Sequence, residues 1–325
     1  MGQVHQHHHH NEHNEHSEHS GHGHHHHGHH HHELPKQMGR AFLIGIALNL
    51  LFVLCEWFFG VASHSLALLA DATHNLGDVL GLVMAWGASV LGRRAPTDRF
   101  TYGLRGTSIL STLANAMILV LLTGGLAWAA IQRFDDPQPV VGTTVIAVAL
   151  AGVLVNGISA WLLNAGQQHD MNVRGAYLHM AADAAASLGV AIAGVVVLFT
   201  GWTWLDPAVT LALAAVILVG TWSLLRDALK LALQAVPQQI DIDQVRGFLA
   251  RLPGVTEVHD LHIWGMSTTE NAMTAHLVIP QGHPGDTFLQ TVAHAIEHDY
   301  SIHHVTLQIE LADGTACALA PAHVV

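Results

Sequence analysis

Two short segments carry the chemistry of this chain: HNLGD at 74–78 and HMAAD at 179–183. In a helix, residues four apart share a face one turn from each other, so each segment presents an imidazole beside a carboxylate. Together His74, Asp78, His179 and Asp183 make a four-ligand set suited to tetrahedral Zn²⁺. Both segments lie in runs apolar enough to cross a membrane, where a charged side chain costs about 2.5–3.5 kcal/mol on insertion scales. A divalent cation removes that cost, because two carboxylates neutralise it while all four groups are satisfied. One such pair alone is read equally well as a hydrogen bond between helices. Two copies of the same spacing speak for a metal. Asp71 lies one turn before His74. Two roles are open to it: guiding ions or protons towards the release path, or bonding to a neighbour.

The elements that must position these residues are six apolar spans, at about 39–62, 65–92, 107–131, 140–164, 174–199 and 206–225. Most are long enough for a helix to cross a hydrocarbon core of ~30 Å. Of the twelve Lys and Arg residues, only Arg133 falls on one side of the membrane, and the other eleven fall on the opposite side. That bias places both termini in the cytoplasm. Counted from the outer ends of their spans, the two H-x-x-x-D segments differ in depth by about six residues, roughly 9 Å at helical rise. The polar residues Asn49, Glu56, Asn115 and Asn156 within the spans are read as interhelical packing bonds.

The chain of 325 residues is half hydrophobic and 11% charged, too apolar for a soluble protein with an ordinary charged surface. No basic patch argues for nucleic acid. Residues 1–35 hold 17 histidines and almost nothing apolar, so they read as a disordered cytoplasmic tail that collects metal. The membrane domain occupies 36–232. After Pro237 the pattern changes to helix, two strands, helix and strand over 238–312, followed by an irregular tail at 313–325. The fold class is therefore an α-helical membrane protein with six transmembrane helices plus a small cytoplasmic α+β domain of order αββαβ. Neither Cys55 nor Cys317 has a neighbour at metal or redox spacing.

With LLADATHNLGD, the second H-x-x-x-D, RFTYG at 99–103 and VHDLHIW at 258–264, the chain resembles the cation diffusion facilitator family, most of all its bacterial zinc-exporting branch. The likeness covers about 37–311. It implies a homodimeric, proton-coupled exporter in the bacterial inner membrane, with the transport site between spans two and five and a metallochaperone-like cytoplasmic domain. Manganese-type relatives carry acids where this chain has His74 and His179, so the resemblance implies Zn²⁺, with Cd²⁺ tolerated and Co²⁺ or Ni²⁺ as the alternative cargo. It also implies a regulatory Zn²⁺ site on His259, His276, His303 and Glu310, with His262 and His304 as neighbours able to substitute. The loop PTDRFTYGLRG offers only Asp98, so no further metal site is expected there. The His-rich segment that other relatives place between spans four and five is replaced by the N-terminal tail.

The mechanism implied is alternating access, with protons displacing the metal from its four ligands. The protein is then a transporter and not an enzyme. A membrane metalloprotease would need an open zinc position and a general base, and no H-E-x-x-H occurs. A metal sensor would have no need of ligands within the membrane.

Overall fold

The computed structural model describes residues 40–164, 171–312 and 317–320. The expected N-terminal tail and most of the C-terminal one lie outside them.

Six long helices come first: α1 (Arg40–Ala62), α2 (Leu66–Gly92), α3 (Thr107–Asp135), α4 (Gly142–Leu163), α5 (Met171–Thr200) and α6 (Leu205–Ala232). Helices α2 to α6 are each long and apolar enough to span a membrane, and the described part of α1 adds a shorter apolar helix at Asn49–Ala62. They coincide with the six apolar runs, except that α3 and α6 continue several residues further. The extensions carry Arg133 in α3 and Arg226 and Lys230 in α6. Charged residues near a helix end reach the interface with their long side chains, so helix geometry outlasts the apolar pattern.

Helix α2 is fixed at its start by an acid from another helix. Ser65 caps it, its hydroxyl accepting the Leu68 N–H at 3.2 Å. The buried carboxylate of Asp206, in the first turn of α6, accepts the Leu66 and Ala67 N–H groups at 2.8 and 3.3 Å and the Ser65 hydroxyl. A carboxylate at a helix N-terminus satisfies orphan donors and suits the dipole. This clamp sets the level at which α2 begins.

The level of α5 is set by packing. Ala67 and Leu68 of α2 bury against Val190 and Ala191 of α5 and Val145 and Ala149 of α4. Helix α5 then runs on to Thr200, well past the start of α2. The depth offset expected from span ends is thereby corrected. The ends of α2 and α5 are not level, and residues 74–78 lie opposite 179–183 because both are counted from the same packed layer. Close approach elsewhere depends on glycine: a Cβ at Gly77 would sit 2.1 Å from Leu119 Cδ2 of α3, and one at Gly152 of α4 would sit 2.9 Å from Ser187 Oγ of α5.

The second part follows the expected αββαβ order: α7 (Ile242–Ala250), β1 (Glu257–Gly265), β2 (Asn271–Val278), α8 (Asp286–Tyr300) and β3 (His304–Glu310). Strand β2 is central, antiparallel to β1 and parallel to β3. Val245 and Leu249 of α7 and Val292 and Ile296 of α8 bury against Leu261, Ile263, Met273, Ala275 and Leu277 on one sheet face. The other face is left without a helix from this domain. Asp241 caps α7, its carboxylate accepting the Asp243 and Gln244 N–H groups. These bonds hold its carboxyl below the usual range, the Gln244 backbone N–H first among them.

Candidate metal centre

The two H-x-x-x-D segments meet as crossed pairs. His74 Nε2 lies 3.3 Å from Asp183 Oδ1, and His179 Nε2 lies 3.2 Å from Asp78 Oδ2. Within each helix the i,i+4 partners are slightly further apart, 3.9 Å for His74–Asp78 and 3.6 Å for His179–Asp183. The two rings meet edge to face, with centroids 5.8 Å apart. One ligand atom from each of the four residues lies within 4.8 Å of all the others. Zinc bonds of about 2.0 Å in a tetrahedron set ligand-to-ligand edges of about 3.3 Å, so the four groups are already near that spacing. Asp183 Oδ2 is buried with no hydrogen-bond partner among the described residues. Its unused lone pairs favour a cation.

Packing around this site is lopsided. Toward the Leu66 end, α2 buries ten residues between Leu66 and Val79, but only Ala88 after that. Among the described residues of α5, the buried ones begin at Asp183 and continue through Ser187, Val190 and Val197. His179 is 43% exposed, whereas Asp183 is 4% exposed. The site is therefore sealed on the side where α2 begins and open on the side where α5 begins.

Asp71 is not a fifth member of the set. It is buried, and the Ser187 hydroxyl donates to its Oδ2 at 2.7 Å. Behind it lies Glu56 of α1, also fully buried, which accepts the Asn75 amide at 3.1 Å. Glu56 thus makes the interhelical bond expected of it. Asn115 Oδ1 and Asn156 Nδ2 make no hydrogen bond among the described residues.

In the α+β domain a second cluster forms on the sheet face that no helix of the domain covers. His259 of β1 pairs directly with His276 of β2, their rings 5.3 Å apart. The register slips between His259 and His262, and Asp260 adopts a positive φ of 50°. A bulge inserts one extra residue and resets the alternation. It puts His259 and His262 on the same face, with Leu261 turned to the core. Glu310, at the end of β3, lies 2.9 Å from His276 Nδ1 and 3.3 Å from His259 Nε2. His276 Nε2 also lies 3.4 Å from Asp260 Oδ2.

His259 has carboxylates near both ring nitrogens, Glu257 at 3.5 Å and Glu310 at 3.3 Å. Neither contact has hydrogen-bond geometry, and both nitrogens are buried and unsatisfied among the described residues. Distance alone makes no bond here, because the angles are unfavourable.

Two corrections concern this cluster. His303 does not join it. That residue stands at the other end of β2, where its Nδ1 accepts the Asn271 N–H at 3.4 Å and its own N–H donates to the Asn271 carbonyl. Five strand residues separate Asn271 from His276, about 17 Å. The fourth member is Cys317, with Sγ 3.6 Å from His276 Nδ1, so His259, His276, Glu310 and Cys317 bring four ligand atoms within 4.8 Å. No sequence spacing marked Cys317, because it reaches the cluster from beyond the last strand. Burial raises the Glu310 carboxyl, but the Cys317 thiol and the two imidazoles together hold it below its usual range. The bond to Glu310 in turn pushes the thiol up. Of the two neighbours named as substitutes, His262 pairs with Asp260 at 2.9 Å and His304 packs against the Tyr102 ring.

Comparisons with known proteins give the family. Residues 42–231 match the model of the cation efflux transmembrane domain, and 237–312 that of the cation efflux protein cytoplasmic domain. The chain belongs to the cation diffusion facilitator family. It falls in the zinc-exporting branch. The zinc transporter ZitB of Escherichia coli is 38% identical over 261 residues, 80% of this chain and 83% of that protein. The metal cation efflux system protein CzcD of Cupriavidus metallidurans is 33% identical over 274 residues, 84% of this chain and 87% of its own. A cadmium, cobalt and zinc/H(+)-K(+) antiporter of Bacillus subtilis is 30% identical over 264 residues, 80% and 85% of the two chains. Among solved structures, the metal-bound C-terminal domain of the CzcD transporter matches over its full length and 22% of this chain, with 30% identity and a TM-score of 0.21. The chain is thus a multi-pass membrane protein that exports divalent metal cations.

Proposed function

We propose that this protein exports Zn²⁺ in exchange for protons, binding the cation between α2 and α5 on His74, Asp78, His179 and Asp183. The crossed pairs carry this reading: two imidazoles and two carboxylates at tetrahedral spacing, with a lone buried carboxylate oxygen among them. Zn²⁺ needs its ligands deprotonated, so protons and metal compete for the same atoms. Entry of protons from outside then expels the metal, and the proton gradient drives export. Both termini lie in the cytoplasm, and the membrane is the bacterial inner membrane. With that orientation the open side of the site faces the cytoplasm. The arrangement is inward-open, and alternating access requires the α5 start to close on the α2 end. Exposed apolar side chains such as Leu121, Trp161 and Phe199 meet lipid.

The cytoplasmic domain holds a regulatory Zn²⁺ on His259, His276, Glu310 and Cys317. The unsatisfied nitrogens of His259 support this, since bonding to a metal gives a buried ring nitrogen the partner it lacks. The domain joins two copies into a homodimer. The N-terminal histidines raise the local metal concentration and are dispensable for transport.

Reconstitution into proteoliposomes tests the reading. An imposed pH gradient should drive Zn²⁺ across, with Cd²⁺ and Co²⁺ moved less well and Mn²⁺ excluded. Zinc movement indifferent to the pH gradient would contradict proton coupling.

A further inference from the structure

Glu56 and Asp71 are two carboxyl groups, both fully buried and within hydrogen-bonding reach of each other, at the junction of α1, α2 and α5. Asn75 donates to Glu56 Oε2, and Ser187 donates to Asp71 Oδ2. Glu56 Oε1 has no donor among the described residues. Among the described residues, the charged or titratable groups acting on the pair are His74 of α2 and Asp183 of α5, with no lysine or arginine. Two facing carboxylates cannot both ionise in such a place. Without a proton they are acceptors turned on each other, and an orphaned oxygen remains. One proton between them resolves both problems.

We propose that the Glu56–Asp71 pair is a proton-binding site coupled to the metal site, loading when the metal leaves and releasing when it arrives. The link between the pair and the metal site is short. Ser187, which bonds Asp71, stands one turn from Asp183, and Asn75, which bonds Glu56, adjoins His74. A divalent cation on Asp183 and His74 places positive charge beside Asp71 and favours ionisation of the pair. Its departure restores the proton. Proton exchange is thus not confined to the metal ligands, and the pair contributes about one of the protons counted per Zn²⁺. The role rests on the proton-coupled reading above.

The test is the ratio of proton to zinc flux in proteoliposomes under a fixed zinc gradient, for the wild type, Glu56→Gln and Asp71→Asn. Zinc should still move in the Glu56→Gln protein, with a ratio lower by about one proton per zinc. An unchanged ratio in both variants, beside a coupled wild type, overturns the proposal and leaves the exporter reading intact. A wild type that moves zinc with no proton flux overturns the exporter reading as well. If neither variant folds, infrared difference spectra of the wild type decide. Zinc addition should remove a protonated carboxyl band, and an unaltered band refutes the coupling.

Discussion

His74 Nε2 of α2 stands 3.3 Å from Asp183 Oδ1 of α5, so each helix offers its imidazole to the acid of the other. The second pair, His179 with Asp78, repeats this in reverse. Such crossing makes the site a joint property of two helices. Neither H-x-x-x-D segment retains its partner if α2 and α5 separate.

Replacing an imidazole by a carboxylate tests cargo selection. His179→Asp leaves one nitrogen and three carboxylates, a harder set that suits Mn²⁺ better than Zn²⁺. Competition transport assays should show zinc preference falling and Mn²⁺ becoming a substrate. Unaltered selectivity would remove His179 from the ligand set.

In the cytoplasmic domain, His276→Ala should abolish zinc binding to the regulatory set, while His303→Ala leaves it intact. Calorimetry in an Asp183→Ala background reads the two variants. Equal losses in both would return His303 to the cluster.

Cys317 gives that site a pH dependence. Its thiol is held above the usual range, chiefly by its bond to Glu310, so at neutral pH the metal must displace a proton. Zinc affinity of the regulatory set should rise with pH through the neutral and mildly alkaline range. Cys317→Ser should lower the affinity and flatten the rise, as measured by competition with a chelator across pH.

Much of the membrane site was legible in the sequence because its chemistry repeats at helical spacing. An i,i+4 pair stays on one face wherever the helix lies, so His74, Asp78, His179 and Asp183 could be read without coordinates. Relative depth could not. It depends on the Asp206 clamp on α2 and the packing of Leu68 on Val190, both between residues far apart in sequence. The cytoplasmic cluster was legible only in part for a similar reason. A bulge at Asp260 sets which side chains share a face, and Cys317 arrives from outside the sheet. His303 looked equivalent to its neighbours, yet strand register leaves it about 17 Å along β2 from His276. Glu56 and Asp71 stood out as acids in apolar runs, but only the fold shows that they face each other.

Gly77 tests the packing that supports α2. A methyl group there meets Leu119 at 2.1 Å, and overpacking of this kind costs about 1–3 kcal/mol. Gly77→Ala should lower the thermal midpoint of the detergent-solubilised protein. A midpoint equal to that of the wild type would mean that the Leu119 side chain moves aside without cost.

Asp183 is the most buried of the four candidate ligands, and transport through this site should depend on it. Zinc-driven proton flux measured in proteoliposomes of Asp183→Ala, beside the wild type, addresses it directly. A large flux in the wild type and none above the protein-free rate in the variant is the predicted result. Flux persisting in the Asp183→Ala protein would contradict the assignment of the transport site.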